Sequence, residues 1–289
     1  MNYNFDSKDY NDNVVSYYFH YYNFSYFENN FKFKNAFHYA CEFGHYKFVE
    51  ILLNENLITN INSKVLIEKP LSFLRTQKRY KKVTALHLAA KNNHIKIVNL
   101  LLSQPKIQID SETFSNCKKL TSVTIPISIK EIGDQYFYGC SSLKHIIIPS
   151  SVTIIGNNAF EGCISLENID IPSSVIKIGN NAFADCSKLT KLRLPSSIKE
   201  IGRGAFDGCS MLQDILIPPS ITVIKDSLFR RCMLLKYVEI PKTVTEIGRW
   251  AFNGCFSLEN VEIPSSVIKI GSFAFSGCLK LQKMMNASI

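Results

Sequence analysis

The chain has 289 residues, 46% hydrophobic and 20% charged, with 33 Lys and Arg against 24 Asp and Glu for a formal charge of +9. That composition excludes a disordered polypeptide, and no apolar run reaches the ~18 residues a membrane-spanning helix needs. The amino terminus, MNYNFDSKDYNDN, carries acids where a secretory signal carries bases, so the chain reads as cytoplasmic and its nine cysteines as free thiols.

Residues 1–34 are rich in Asn and aromatic residues, among them Tyr17, Tyr18, Phe19, Tyr21 and Tyr22. So aromatic a stretch calls for cover, and a short helix near Asn13–Phe27 is expected to close the open end of the repeats beyond it. From Asn35 the pattern sharpens into NAFHYACEFGHYKFVEILL (35–53) and VTALHLAAKNNHIKIVNLLL (83–102). Small residues at Ala36, Ala40, Cys41 and at Ala85, Ala89, Ala90 let two helices approach closely, and Gly44 and Asn93 supply the turns between them. With Thr84, Leu86 and His87 in the threonine-x-leucine-histidine box, and Asn35, Phe37 and His38 in its degenerate copy, these segments resemble ankyrin repeats. His38 and His87 stand 49 residues apart, against about 33 per repeat in that family. An insertion near 62–82 fills the difference, and its Lys64, Lys69, Arg75, Lys78, Arg79, Lys81 and Lys82 make it a basic loop. Pro105 ends the last helix.

Residues 111–289 repeat with an unbroken period of 23. Phe stands at 114, 137, 160, 183, 206, 229, 252 and 275, Cys three residues after each, and Leu six after each. The full unit is Leu166-x-x-Ile169-x-Ile171-Pro172-x-Ser174-Val175-x-x-Ile178-Gly179-x-x-Ala182-Phe183-x-x-Cys186. Leu, Ile and Ile mark a short strand that proline closes, and the hydroxyl two residues after the proline is suited to satisfy buried backbone groups. Glycine at 133, 156, 179, 202, 248 and 271 is read as the next bend, with Lys225 the exception. The Ala-Phe pair is read as the start of a 3₁₀-like turn. This unit resembles the BspA-type, or treponemal-class, leucine-rich repeat. The resemblance implies a curved solenoid with parallel strands on its concave face; members of that family include bacterial surface antigens that bind host extracellular proteins. The fold class expected is therefore an α+β repeat protein, with a short helical ankyrin-like solenoid over 35–110 continuous with an eight-rung, β-dominated leucine-rich-repeat solenoid.

The sequence offers no catalytic set, cofactor motif or metal site. His38, Cys41 and His45 could share one helix face as metal ligands, but the histidines fit structural roles and no fourth ligand is evident. The cysteine column reads as small buried hydrophobes. The basic insertion reads as solvated, making a nucleic-acid partner improbable. The columns that refuse to repeat are the better site: positions two and four after each column leucine should face outward, and they change on every rung. His145, Ile147, Lys191, Arg193, Leu216, Tyr237, Glu239 and Glu262 are the candidate protein-binding residues. A non-enzymatic interaction scaffold is the function expected, with a cell-surface adhesin as the alternative. The last strand is read as an open edge at which self-association could occur.

Overall fold

The computed structural model describes residues 36–58, 60–68, 80–111, 113–281 and 283–286; the helix expected near Asn13–Phe27 lies outside them. Two units divide the chain, Met1–Ile107 and Gln108–Ile289.

In the first unit, helices α1 (Ala36–Phe43) and α2 (Tyr46–Asn54) are followed by strands β1 (Lys64–Glu68) and β2 (Tyr80–Thr84), then by α3 (Ala85–Lys91) and α4 (Ile95–Leu102). The small residues read from the sequence are buried: Ala36, Ala40, Cys41, Ala85, Ala89 and Ala90 are each 2% exposed or less. Their size lets α1 pack against α3. Gly44 turns the chain between α1 and α2 at φ +83°, and a Cβ there would meet the His94 ring at 2.6 Å. His94 Nε2 in turn bonds the Glu42 carbonyl at 2.9 Å, tying α4 to the end of α1. Thr84 caps α3, its hydroxyl oxygen accepting the His87 N–H at 3.3 Å.

Two expectations change here. His38, Cys41 and His45 do not share a helix face, because α1 ends at Phe43 and His45 sits at the N-cap of α2 beyond the Gly44 turn. His38 points instead to the Ser63 carbonyl, 3.1 Å from its Nε2. The basic insertion is not simply a loop either, for its ends pair as an antiparallel ladder from Lys64↔Thr84 to Glu68↔Tyr80. Val65 and Val83, each 3% exposed, anchor that ladder on Leu88.

The second unit is a stack of rungs. Longer strands β3 (Ser122–Thr124), β5 (His145–Ile147), β7 (Asn168–Asp170), β9 (Lys191–Arg193), β11 (Asp214–Leu216), β13 (Tyr237–Glu239), β15 (Asn260–Ile263) and β17 (Lys283–Asn286) form one face. Between them come two-residue strands β4 (Glu131–Ile132), β6 (Ile154–Ile155), β8 (Lys177–Ile178), β10 (Glu200–Ile201), β12 (Val223–Ile224), β14 (Glu246–Ile247) and β16 (Lys269–Ile270). Every pairing in the array is parallel and in register with the residue one period away, as in Tyr237↔Asn260 and Ile155↔Ile178. The phenylalanines stack down the interior with ring centroids 5.1–5.8 Å apart.

The cysteines are free and buried, only Cys278 being partly open. They do more than fill space. Cys163 Sγ donates to the Phe137 carbonyl of the preceding rung at 3.2 Å, and the same bond recurs from Cys140 to Cys278. Each such carbonyl also accepts the Cys N–H of its own rung, as Phe137 O does from Cys140 N at 3.1 Å, so both lone pairs are used. The hydroxyl column works likewise, with Ser174 Oγ donating to the Val152 carbonyl at 2.6 Å and Thr243 to Ile221 at 2.9 Å.

The 3₁₀-like turns expected at the Ala-Phe pair form but do not join into a helix. Tyr138 N to Gln135 O and Cys140 N to Phe137 O close two separate turns, but the Phe137 N–H between them leaves for Ala159 O of the next rung at 2.7 Å. Stacking claims the donor that a continuing helix would need. The glycine column is also explained differently. At Gly156, Gly179, Gly202, Gly248 and Gly271 φ lies outside the left-handed range, yet an added Cβ would come within 2.4–2.7 Å of the preceding rung's backbone. Close approach of rungs, rather than a bend, requires glycine there.

Lys225 tests that reading within the chain. Gly202 N bonds Ile178 O at 2.8 Å and Gly248 N bonds Ile224 O at 2.7 Å. Between Lys225 and Ile201, and between Thr222 and Lys199, the matching bonds are missing among the described residues. The short-strand sheet accordingly divides into β4–β6–β8–β10 and β12–β14–β16. The long-strand face divides at the same level, between β9 and β11, and also between β5 and β7. The phenylalanine stack is widest here, at 5.8 Å for Phe183–Phe206 and 5.6 Å for Phe206–Phe229.

Candidate interaction surface

Alternation places the candidate residues. In β5, β7, β9, β11 and β13 the middle residue is buried and both flanking residues are exposed, as a pleated strand with one face on a core requires. His145, Lys191, Arg193, Glu239 and Glu262 are exposed, and Ile147, Leu216 and Tyr237 are 80%, 66% and 57% exposed. The eight residues therefore lie on one face of the array.

Register decides which of them are neighbours. Arg193 stands beside Asp170 and Lys191 beside Asn168, while Tyr237 stands beside Asp214 and Leu216 beside Glu239. Glu239 stands beside Glu262, and two like charges on adjacent strands, about 4.8 Å apart, disfavour the sheet that carries them. No ion pair among the described residues involves Lys191, Arg193, Asp214, Glu239 or Glu262. The short-strand side contrasts with this. There Glu200 bridges Lys177 at 3.1 Å and Lys225 at 2.9 Å, and Lys269 meets Glu246 at 2.7 Å. The two lysines beside the Glu200 carboxylate hold its pKa below the usual range. On the turn side Asp207 is clamped by Arg230 at 2.7 Å and Arg231 at 2.9 Å. Ion pairs on the array thus occur on the short-strand and turn sides, and none of them involves the candidate residues of the long-strand face.

Burial raises the thiols of the seven column cysteines from Cys140 to Cys278 above the ordinary cysteine pKa, to about 12 for Cys163 and about 11 for the less buried Cys278. Protonated at neutral pH, they are poor metal ligands and poor nucleophiles. Among the described residues no group of three or more His, Cys, Asp or Glu is placed to hold a metal ion, and no helix among them is long and apolar enough to cross a membrane.

Two surface features escaped the sequence reading. Arg249 lies over the Trp250 ring at 3.8 Å, and Trp250 stacks on Phe273 at 6.5 Å. Both aromatics have positive φ, at a place where earlier rungs use Asn158, Asn181 and Gly204. The second is a run of exposed apolar side chains just after the cysteines of the later rungs: Met211, Met233, Leu234, Phe256 and Leu279. The available signal was the contrast with Lys118, Lys119, Ser141, Ser142, Ser187 and Lys188 at the same places in earlier rungs, although Ile164, 47% exposed, is apolar there too.

Comparison with known proteins places these features in context. The BspA type leucine rich repeat region matches residues 107–236 and 224–288, in six copies. Ankyrin repeats match residues 7–113 in three copies. Among solved structures the chain is similar to a leucine-rich repeat protein of Treponema pallidum, with 31% identity over 60% of this chain and 70% of that one and a TM-score of 0.46. A leucine-rich repeat protein of Bacteroides ovatus shares 28% identity over 60% of this chain and 57% of its own, with a TM-score of 0.46. A leucine rich cell surface protein of Faecalibacterium prausnitzii shares 31% identity over 61% and 62%, with a TM-score of 0.44. None of the curated proteins matches.

Proposed function

The chain belongs to the BspA-type leucine-rich-repeat family, and from that premise we propose that it is a non-enzymatic scaffold that binds a protein partner across its long-strand face. The observation that carries this reading is the exposure, on one strand face, of charged and large apolar side chains that change from rung to rung. Lys191 and Arg193, like Glu239 and Glu262, are exposed and find no ion-pair partner among the described residues. Such charges favour encounter with a complementary surface and set its orientation. Tyr237 and Arg193 are the residue types that most often anchor interfaces, and Ile147 and Leu216 add apolar contact beside them. Ankyrin repeats at the other end of the chain suit the same role.

The test is a quantitative pull-down from source cells with the full chain and its Arg193→Ala/Tyr237→Ala variant. Loss of the captured partner from the variant is expected, and an unchanged captured set would sink the reading. A second reading comes from the family's surface antigens, in which the same face meets an extracellular partner. Strong labelling of the protein on intact cells by a membrane-impermeant reagent would favour that location over the cytoplasm.

A further inference from the structure

One level of the array, between the rung of β9 and β10 and the rung of β11 and β12, is joined through its backbone on one side only. On the long-strand face Thr190 N bonds Glu167 O at 3.0 Å and Lys236 N bonds Gln213 O at 2.9 Å, but among the described residues no such bond runs from Gln213 to Thr190. The bonds from Thr222 and Lys225 are missing in the same way on the short-strand face, and neither β9 with β11 nor β10 with β12 forms a ladder. A side-chain bond from Ser220 Oγ to the Ile198 carbonyl remains between the two faces. The turn side is crossed in full. Gly204 N bonds Asp226 O at 2.9 Å, Phe206 N bonds Leu228 O at 3.1 Å and Gly208 N bonds Arg230 O at 2.7 Å. Cys232 Sγ adds a bond to the Phe206 carbonyl, and Arg230 and Arg231 of the later rung grip Asp207 of the earlier one.

What spans the short-strand side instead is charge. Lys225 stands where close approach of rungs requires glycine, and its Nζ reaches back across the level to Glu200 at 2.9 Å. The residue that removes two backbone bonds therefore supplies an ion pair in their place. That pair is 38% and 44% exposed and open to screening by salt, whereas the Asp207 carboxylate on the turn side is only 9% exposed. We propose that this level is a hinged opening built into the array: its rungs part on their strand sides, pivot on the turn side, and are restrained from parting further by the Lys225–Glu200 pair. The device belongs to the array alone, so it stands or falls separately from the proposed function.

Hydrogen exchange read by mass spectrometry on the full chain tests it, because local opening sets the exchange of bonded amides. Segment 212–225 is compared with 189–202 and 235–248, which hold the same columns one period to either side. In the parent, 212–225 should exchange fastest. Raising salt from about 0.1 M to about 1 M, which shortens the Debye length from about 10 Å to about 3 Å, should speed it about two- to fivefold relative to the other two, the range an exposed ion pair allows. Glu200→Gln should reach that faster rate at low salt and show no further salt effect, and Lys225→Met, which keeps the length and loses the charge, should do the same. Lys225→Gly should instead slow the segment about tenfold, as two recovered backbone bonds allow, and abolish the salt response. Segment 204–209, on the turn side, should stay protected throughout. Equal exchange of the three segments in the parent, indifference of 212–225 to salt and to Glu200→Gln, no slowing in Lys225→Gly, or loss of protection at 204–209 together with 212–225 would overturn the proposal.

Discussion

A methyl group on Gly179 would lie 2.6 Å from Asn157 N and Gly156 C and 2.8 Å from Gly156 O. These are backbone atoms of the preceding rung and cannot swing aside, so Gly179→Ala must push two rungs apart. Lys225 shows what that separation removes: two rung-to-rung backbone bonds, each worth about 0.5–1.5 kcal/mol. The expected loss is about 1–3 kcal/mol, in line with the cost of overpacking a tight core. With a urea slope of roughly 2 kcal/mol/M, the midpoint should fall by about 0.5–1.5 M. Gly133→Ala is the internal control. Its added carbon would find nothing nearer than Tyr136 Cδ2 at 3.8 Å, and restricting the unfolded chain should stabilise by about 0.4–1 kcal/mol. The chain has one tryptophan, and Trp250 lies within the array, so its fluorescence tracks unfolding of the relevant unit. Equal destabilisation by the two alanines would refute close approach as the reason for the glycine column.

Thiol reactivity should be ordered by burial: Cys278, partly open and with its pKa raised only to about 11, should react with a disulfide reagent first, and the buried column thiols only on unfolding. Because burial raises these pKa values in the folded state, the folded chain holds more protons than the unfolded one at alkaline pH. Their contribution is therefore complete below the unfolded pKa of about 8.5 and lost as pH rises from there through the folded values; a melting temperature that climbs above pH 9 would contradict this. Gly44→Ala combines φ +83° with a 2.6 Å approach to the His94 ring and should cost the first unit about 1–3 kcal/mol, read as earlier loss of helical circular dichroism. Asp207→Asn should cost about 1 kcal/mol, since Arg230 and Arg231 are 37% and 46% exposed, and the difference should shrink in 1 M salt; a salt-independent loss would point to packing instead.

Columns that repeat in one direction along the chain were legible, and what the stack demands between rungs was not. Phe, Leu and the inward strand positions are set by period and polarity alone, which is why Ile147, Leu216 and Tyr237 emerge on the outer face where alternation puts them. Cysteine was read as a small hydrophobe, since nothing within one unit reveals that its S–H reaches the Phe carbonyl 26 residues back. Gly179 looked like a bend for the same reason; its constraint is a neighbour one period away. The 3₁₀-like turn expected at Ala182-Phe183 forms, with Cys186 N bonded to Phe183 O, but it does not extend into a helix because the Phe183 N–H bonds Ala205 O of the next rung. In the first unit, period reasoning passed over the alternation in KVLIE and YKKVT, whose Val65 and Val83 turn inward. The apolar run at Met233, Leu234 and Phe256 was missed because those places carry no consensus residue, so their departure from Ser and Lys broke no pattern.

The missing bonds around Lys225 give the array a joint. On one side lie the rungs bearing His145, Ile147, Lys191 and Arg193; on the other lie those bearing Leu216, Tyr237, Glu239 and Glu262. Both hydrogen-bonded sheets lapse at this level, so a change in spacing here meets less resistance than between fully laddered rungs. The cationic and anionic parts of the face thus lie on opposite sides of this level. Turn-side bonds such as Phe206 N to Leu228 O and Gly208 N to Arg230 O still cross this level, so under the proposed function a partner spanning both parts would find the strand side of the array more compliant here than the turn side.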